Sequence, residues 1–117
     1  MVNKTFVTSQ FVKGLKELRK NHKDRAIDKL QETVKKLENF EIVNHEKHEH
    51  GLTNNKNLYR DIHIEGNIIL LYRYDGDIIF VSLVLGNLVN HENFNRKENL
   101  KENITGEYDP PIDLKKL

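Results

Sequence analysis

The stretch "LYRDIHIEGNIILLYRYDGDIIFVSLVL", residues 58–85, decides the fold. Its first part alternates. Leu58, Ile62 and Ile64 fall on one side of an extended chain, and Tyr59, Asp61 and His63 on the other. "NIILLYRY" follows as a second strand, "DGD" at 75–77 makes a tight hairpin turn, and "IIFVSLVL" is a third strand. Upstream the period changes from two to that of a helix. Phe11, Leu15 and Leu18 recur at helical spacing, and Ile27, Leu30, Val34 and Leu37 form a second apolar stripe. "NHKD" separates the two, and Thr8 or Ser9 can cap the first. "NKTFVTS", residues 3–9, has the β-branched, weakly alternating pattern of a short strand.

The expected order is β-α-α-β-β-β. This is an α+β fold with a small antiparallel sheet and an N-terminal helical hairpin over one face. "NHENFNRKENLKEN", residues 90–103, could open a C-terminal helix. The tail "ITGEYDPPIDLKKL" has adjacent prolines and little periodicity, so it is expected to be extended or frayed. The expected division is a domain over 1–94 and an extension over 95–117, with no internal repeat.

Composition narrows the chemistry. At 117 residues the chain suits one domain with a modest core. Apolar residues make up 37% and charged residues 32%, but the apolar ones are gathered in periodic runs, which argues for a globular chain. There is no cysteine, so disulfides, thiolate zinc sites and cysteine nucleophiles are excluded. "MVNKTFVTSQF" has no apolar core of a secretory signal, and no apolar run approaches the roughly 20 residues that span a bilayer. A soluble cytoplasmic protein with no membrane partner is the expectation. Net charge is +1, yet residues 1–38 hold ten Lys/Arg against five Asp/Glu. Such a basic segment can meet nucleic acid or an acidic partner, and is otherwise a solvated helix face.

Three of the six histidines, His45, His48 and His50, crowd into "NHEKHEHGLT", residues 44–53. Residues 39–56 read as a long polar loop, a common place for function. With Glu46 or Glu49 these histidines could bind zinc or nickel. The spacing in "HEKH" is three rather than the four of a helical zinc motif, and only His48 and His50 share a face when extended. A polar surface loop is the plainer reading of His45 and His48. No metal or other cofactor is expected.

"YRDIHIEGNIILLYRYDGD", residues 59–77, resembles the core signature of the RelE-type toxins, in particular the YafQ-like branch. His50 with Leu52 upstream, and "VNHENF" with His91 and Phe94 downstream, match the same pattern, as does the element order. The resemblance covers roughly residues 3–95. It implies a toxin of a toxin–antitoxin pair, a ribosome-dependent messenger-RNA endoribonuclease that inhibits translation. It also implies a cognate antitoxin, ribosome and mRNA as partners, and operator DNA reached through the antitoxin. His50, His63 and His91 would then be the catalytic residues.

The chemistry suits them. Metal-free RNA cleavage needs one group to take the 2′-hydroxyl proton and another to protonate the departing 5′-oxygen. Histidine can do either near neutral pH. Lys47, Lys56, Arg60 and Arg73 are candidate phosphate contacts, Asn67 a hydrogen-bonding turn residue, and Phe94 a base contact or a core side chain. Arg60 lies on the strand face opposite His63, which weakens it as a direct partner. Tyr59 shares the His63 face and could approach RNA.

Two departures open a second reading. The branch usually has an acidic residue where Asn67 stands, and an arginine on the last strand, which "VSLVLGNLVNH" lacks. A catalytically weakened protein that acts by binding antitoxin and repressing its operon is therefore the alternative. A small metal-binding protein and a purely structural domain are more distant ones.

Overall fold

A computed structural model describes residues 1–41, 59–85 and 103–117. The elements are β1 (Lys4–Thr8), α1 (Ser9–Lys20), α2 (Asp24–Glu38), β2 (Arg60–Glu65), β3 (Ile68–Asp75), β4 (Ile78–Leu85), β5 (Ile104–Tyr108) and a 3₁₀ turn (Leu114–Lys116). Thr8 caps α1, its hydroxyl accepting from the Phe11 N–H at 3.1 Å. Both helices end with a backbone reversal that satisfies their last carbonyls. After α1, His22 N–H donates to Arg19 O at 3.1 Å and Lys23 N–H to Leu18 O at 2.9 Å. After α2, Phe40 N–H donates to Leu37 O and Glu41 N–H to Lys36 O. Glycine usually fills the left-handed position of this motif, but His22 (φ 55°) and Phe40 (φ 59°) hold it here.

The sheet runs β2-β3-β4-β1-β5. β2, β3 and β4 form an antiparallel meander. Gly66 and Gly76, with φ of 54° and 59°, begin its two hairpin turns. The α+β reading holds, but the sheet is mixed rather than wholly antiparallel, because β1 pairs parallel with β4. The hairpin of helices carries the chain from β1 over one face before the meander begins, so β1 can dock beside β4 in the same direction. β5 adds a fifth strand, antiparallel to β1.

The helices cover one face. Phe11, Leu15, Leu18, Ile27, Leu30, Val34 and Leu37 meet Val7, Ile62, Ile64, Leu70, Tyr72, Ile79, Val81 and Leu83, all buried. Full burial of such side chains contributes roughly 1.5–3 kcal/mol each. α1 lies very close to β4. A β-carbon at Gly14 would stand 2.8 Å from Leu83 Cδ2, so only glycine admits that approach. The Tyr74 hydroxyl donates to Leu37 O at 2.6 Å, and burial pushes its phenol up to about 12, helped by Tyr72.

Of the two forms expected for the tail, extended or frayed, it takes the extended one. After β5 it crosses the helical hairpin, with Ile112 and Leu114 buried in the main core. Lys4 Nζ is 2.5 Å from Asp109 Oδ1, a contact that raises the lysine pKa. Glu38, fully buried, accepts the Ile112 N–H on both carboxylate oxygens (3.2 and 3.1 Å) and the Thr5 hydroxyl on one. Burial pushes its carboxyl up from the usual range, and the hydrogen bonds from Thr5 and Ile112 pull it back. Gln31 donates to Ile112 O at 2.7 Å and accepts from Leu114 N at 2.7 Å. Arg19 donates to the carbonyls of Leu114 and Leu117. The boundary expected at residue 94 and the helix expected over 90–103 lie outside the described residues.

Candidate functional site

The sheet face away from the helices carries a second, smaller cluster: Tyr59, Ile69, Leu71, Phe80 and Val84, with Phe6 and Ile78 at its margin. Strand alternation sends His63 to this side, because Ile62 and Ile64 must face the helices. Register then fixes its neighbours. His63 pairs with Ile69, and Ile69 with Val84. Two residues back, Asp61 pairs with Leu71, which pairs with Ser82. Ser82 accepts the Thr8 hydroxyl at 2.8 Å. The chain thus lines up Asp61 and His63 on one strand face, above an apolar floor.

Asp61 is buried at 4% exposure, and its Oδ2 is 4.0 Å from His63 Nε2. That is too long for a hydrogen bond but close enough for an ion pair once the imidazole is protonated. His63 keeps about a quarter of its side chain exposed (26%). A partly exposed imidazole with a buried carboxylate beside it can accept a proton, and the carboxylate stabilises the cation that results. Asp61 was not singled out from sequence as a site residue. Its position two residues before His63 on an alternating strand was the available signal.

Arg73 also reaches this face. Its guanidinium lies 3.9 Å from the centre of the Phe80 ring and 5.7 Å from that of Tyr59, and Phe6 meets Phe80 edge-on at 5.0 Å. The result is a cross-sheet row of aromatic rings with a cation set among them. Tyr59, just before β2, is four residues from His63, so this row sits roughly 13 Å along the chain from His63. Arg73 therefore shares the face of His63 but not its immediate surroundings.

Arg60 is exposed at the start of β2, paired with Tyr72 on the helix-side alternation. As the sequence pattern implied, it does not join His63. Asn67 is exposed in the turn between β2 and β3. His50, His91, Lys47, Lys56 and Phe94, with His45 and His48, lie outside the described residues. Among the described residues no group of three or more His, Asp or Glu could hold a metal ion, and no helix is long and apolar enough to cross a membrane.

Comparison with known proteins agrees with this architecture. A copper-bound mutant toxin from Helicobacter pylori superposes with a TM-score of 0.59 at 19% identity, over 77% of this chain and 100% of that one. That likeness is one of fold. The E. coli DinJ–YafQ complex gives a TM-score of 0.60 at 26% identity, over 73% of this chain and 94% of the matched chain. No curated protein matches the sequence. The family described as "Bacterial toxin of type II toxin-antitoxin system, YafQ" matches residues 3–96, from the start of β1 to beyond β4. With the helical hairpin, the meander and the His63 face all inside that span, the chain belongs to the YafQ family of type II toxin–antitoxin toxins.

Proposed function

We propose that the chain is a ribosome-dependent messenger-RNA endoribonuclease that inhibits translation in the cytoplasm until its antitoxin binds. The observation that carries this reading is His63, a quarter exposed on the sheet face away from the helices, with the buried Asp61 carboxylate 4.0 Å away. In this reading His63 exchanges a proton with the RNA, either taking it from the 2′-hydroxyl or giving it to the departing 5′-oxygen. Asp61 steadies the imidazolium form. His50 and His91 supply the complementary acid or base. The attack forms a bond from the 2′-oxygen to phosphorus and breaks the bond to the 5′-oxygen, and the histidines carry both protons in place of a metal. Lys47, Lys56 and Arg73 meet phosphates, Asn67 and Phe94 meet the substrate, and Arg60 contributes at a distance. The relative crystallised with DinJ supports an antitoxin as the protein partner, and operator DNA is reached through that complex.

The test is induced expression in a bacterial host, with growth and mRNA 5′ ends followed together for wild type and His63→Ala. Growth arrest with cuts inside translated codons, both lost in the variant, is the expected outcome. General acid–base loss lowers the rate roughly 10²–10⁴-fold. Full toxicity in a folded His63→Ala chain would sink the assignment.

One observation favours a second reading. β4, "IIFVSLVL", carries no arginine, and Arg73 on the neighbouring strand is engaged with Phe80 and Tyr59 rather than placed at His63. A missing oxyanion-stabilising donor costs about 10²–10³ in rate. A weakened nuclease that acts by holding antitoxin predicts tight antitoxin binding with normal growth and intact messages.

A further inference from the structure

The region matched by the toxin family ends at residue 96, yet residues 109–117 occupy a built groove on the helical hairpin. Three side chains of the hairpin reach the tail, and all three address its main chain. Glu38 takes the Ile112 N–H on both oxygens. Gln31 brackets the segment, donating to Ile112 O and accepting from Leu114 N, as a neighbouring strand would. Arg19 closes the far end on the carbonyls of Leu114 and Leu117. Ile112 and Leu114, two residues apart, are buried at 2% and 0% exposure. Asp113 between them faces outward. Main-chain hydrogen bonds combined with pockets for alternate side chains are how proteins receive extended peptides.

We propose that this groove is a peptide-recognition site whose resident ligand is the chain's own Ile112-Asp113-Leu114 segment. The trans ligand it fits is an extended segment of a partner protein with apolar side chains at alternating positions, which binds only by displacing the tail. A nucleic acid does not fit. The groove offers a buried carboxylate as one of its three clamps, and Glu38 would repel phosphate. The inference stands apart from the nuclease reading, since it uses no residue of the His63 face.

The probe is a labelled synthetic peptide of residues 109–117, with fluorescence anisotropy as the readout. Full-length wild type has its groove filled and binds it weakly. Full-length Ile112→Asp/Leu114→Asp releases the tail and binds it at least tenfold more tightly. Adding Gln31→Ala to that variant removes two hydrogen bonds and weakens binding roughly tenfold. A peptide with Asp at both anchor positions does not bind. Absence of binding to a variant that still melts cooperatively would overturn the proposal.

Should the double-anchor variant fail to fold, Arg19→Ala/Gln31→Ala leaves the anchors in place, and amide exchange decides. Faster exchange at Ile112 and Leu114 with β5 amides unchanged is the expected result. Equal loosening of β5 would mean that the tail is part of one cooperative unit, and no separable ligand exists.

Discussion

Under the helices, the strands offer side chains that are almost wholly apolar: Val7, Ile62, Ile64, Leu70, Ile79, Val81 and Leu83. On the opposite face the same strands present Asp61, His63, Arg73 and Ser82 among Tyr59, Leu71, Phe80 and Phe6. One backbone serves both, since adjacent residues of a strand point in opposite directions. The difference shows how a small domain can separate stability from chemistry without a second domain. Stability comes from the helix side, where the buried strand side chains are aliphatic except for Thr5 and Tyr72. The other side can then hold charged groups whose burial contributes little to folding. Substitutions should sort by face, and the following variants test that sorting.

The largest contrast is between His63→Ala, which should abolish cleavage and leave the melting temperature nearly unchanged, and Leu70→Ala. Leu70 is fully buried under the helices, and its truncation should cost about 2–5 kcal/mol in a urea titration. If His63→Ala destabilised the chain as much as Leu70→Ala, the two faces would not be separate in function. Asp61→Asn keeps the shape of the side chain and removes its charge. We expect a rate loss of about tenfold, and a shift to lower pH of the limb of the pH–rate profile that needs a protonated imidazole. An unshifted profile would mean that Asp61 only fills space.

A smaller effect is expected at Glu38, on the helix side. Its carboxyl is raised in the folded chain, so the folded chain holds the proton more tightly than the unfolded one. The stability this brings is fully present below the ordinary glutamate value of 4.5 and is lost as pH rises through the raised folded value. Glu38→Gln should flatten that decline in unfolding titrations at pH 4.5 and 7; an unchanged slope would place the titration elsewhere. The smallest effect concerns His22, whose left-handed backbone costs a side chain about 1–2 kcal/mol. His22→Gly should stabilise by up to about 1 kcal/mol in thermal melts, a gain partly offset by the entropy of glycine in the unfolded chain.

The helices and the meander are legible in the sequence because each rests on a local period. The Ile27–Leu37 stripe and the Leu58–Ile64 alternation need no knowledge of the rest of the chain. The face of His63 follows from the same alternation. What is not legible depends on partners far away in sequence. The parallel pairing of β1 with β4 joins Lys4 to Ile78, and nothing near Lys4 signals it. β5 is built from "ITGEY", in which no side chain is fully buried; it is held largely by main-chain bonds to β1, which leave no side-chain signature. Arg73 reads as a phosphate contact on its own, and only the register that sets it against Phe80 gives it aromatic neighbours. Asp61 shows the intermediate case, since its spacing was visible but its depth was not.

The position of β1 has a consequence for synthesis. It is made before the other described elements, yet its two neighbours in the sheet are β4 and β5, which come after both helices and two further strands. A nascent chain that has extended only to Asp77 can wind both helices and pair β2 with β3, but β1 has no strand beside it. Its apolar residue Val7 must wait in the company of the helices alone. Assembly of the sheet is thus deferred until β4 and β5 have been made, and a product terminated before Ile78 lacks the strands that hold β1 in place.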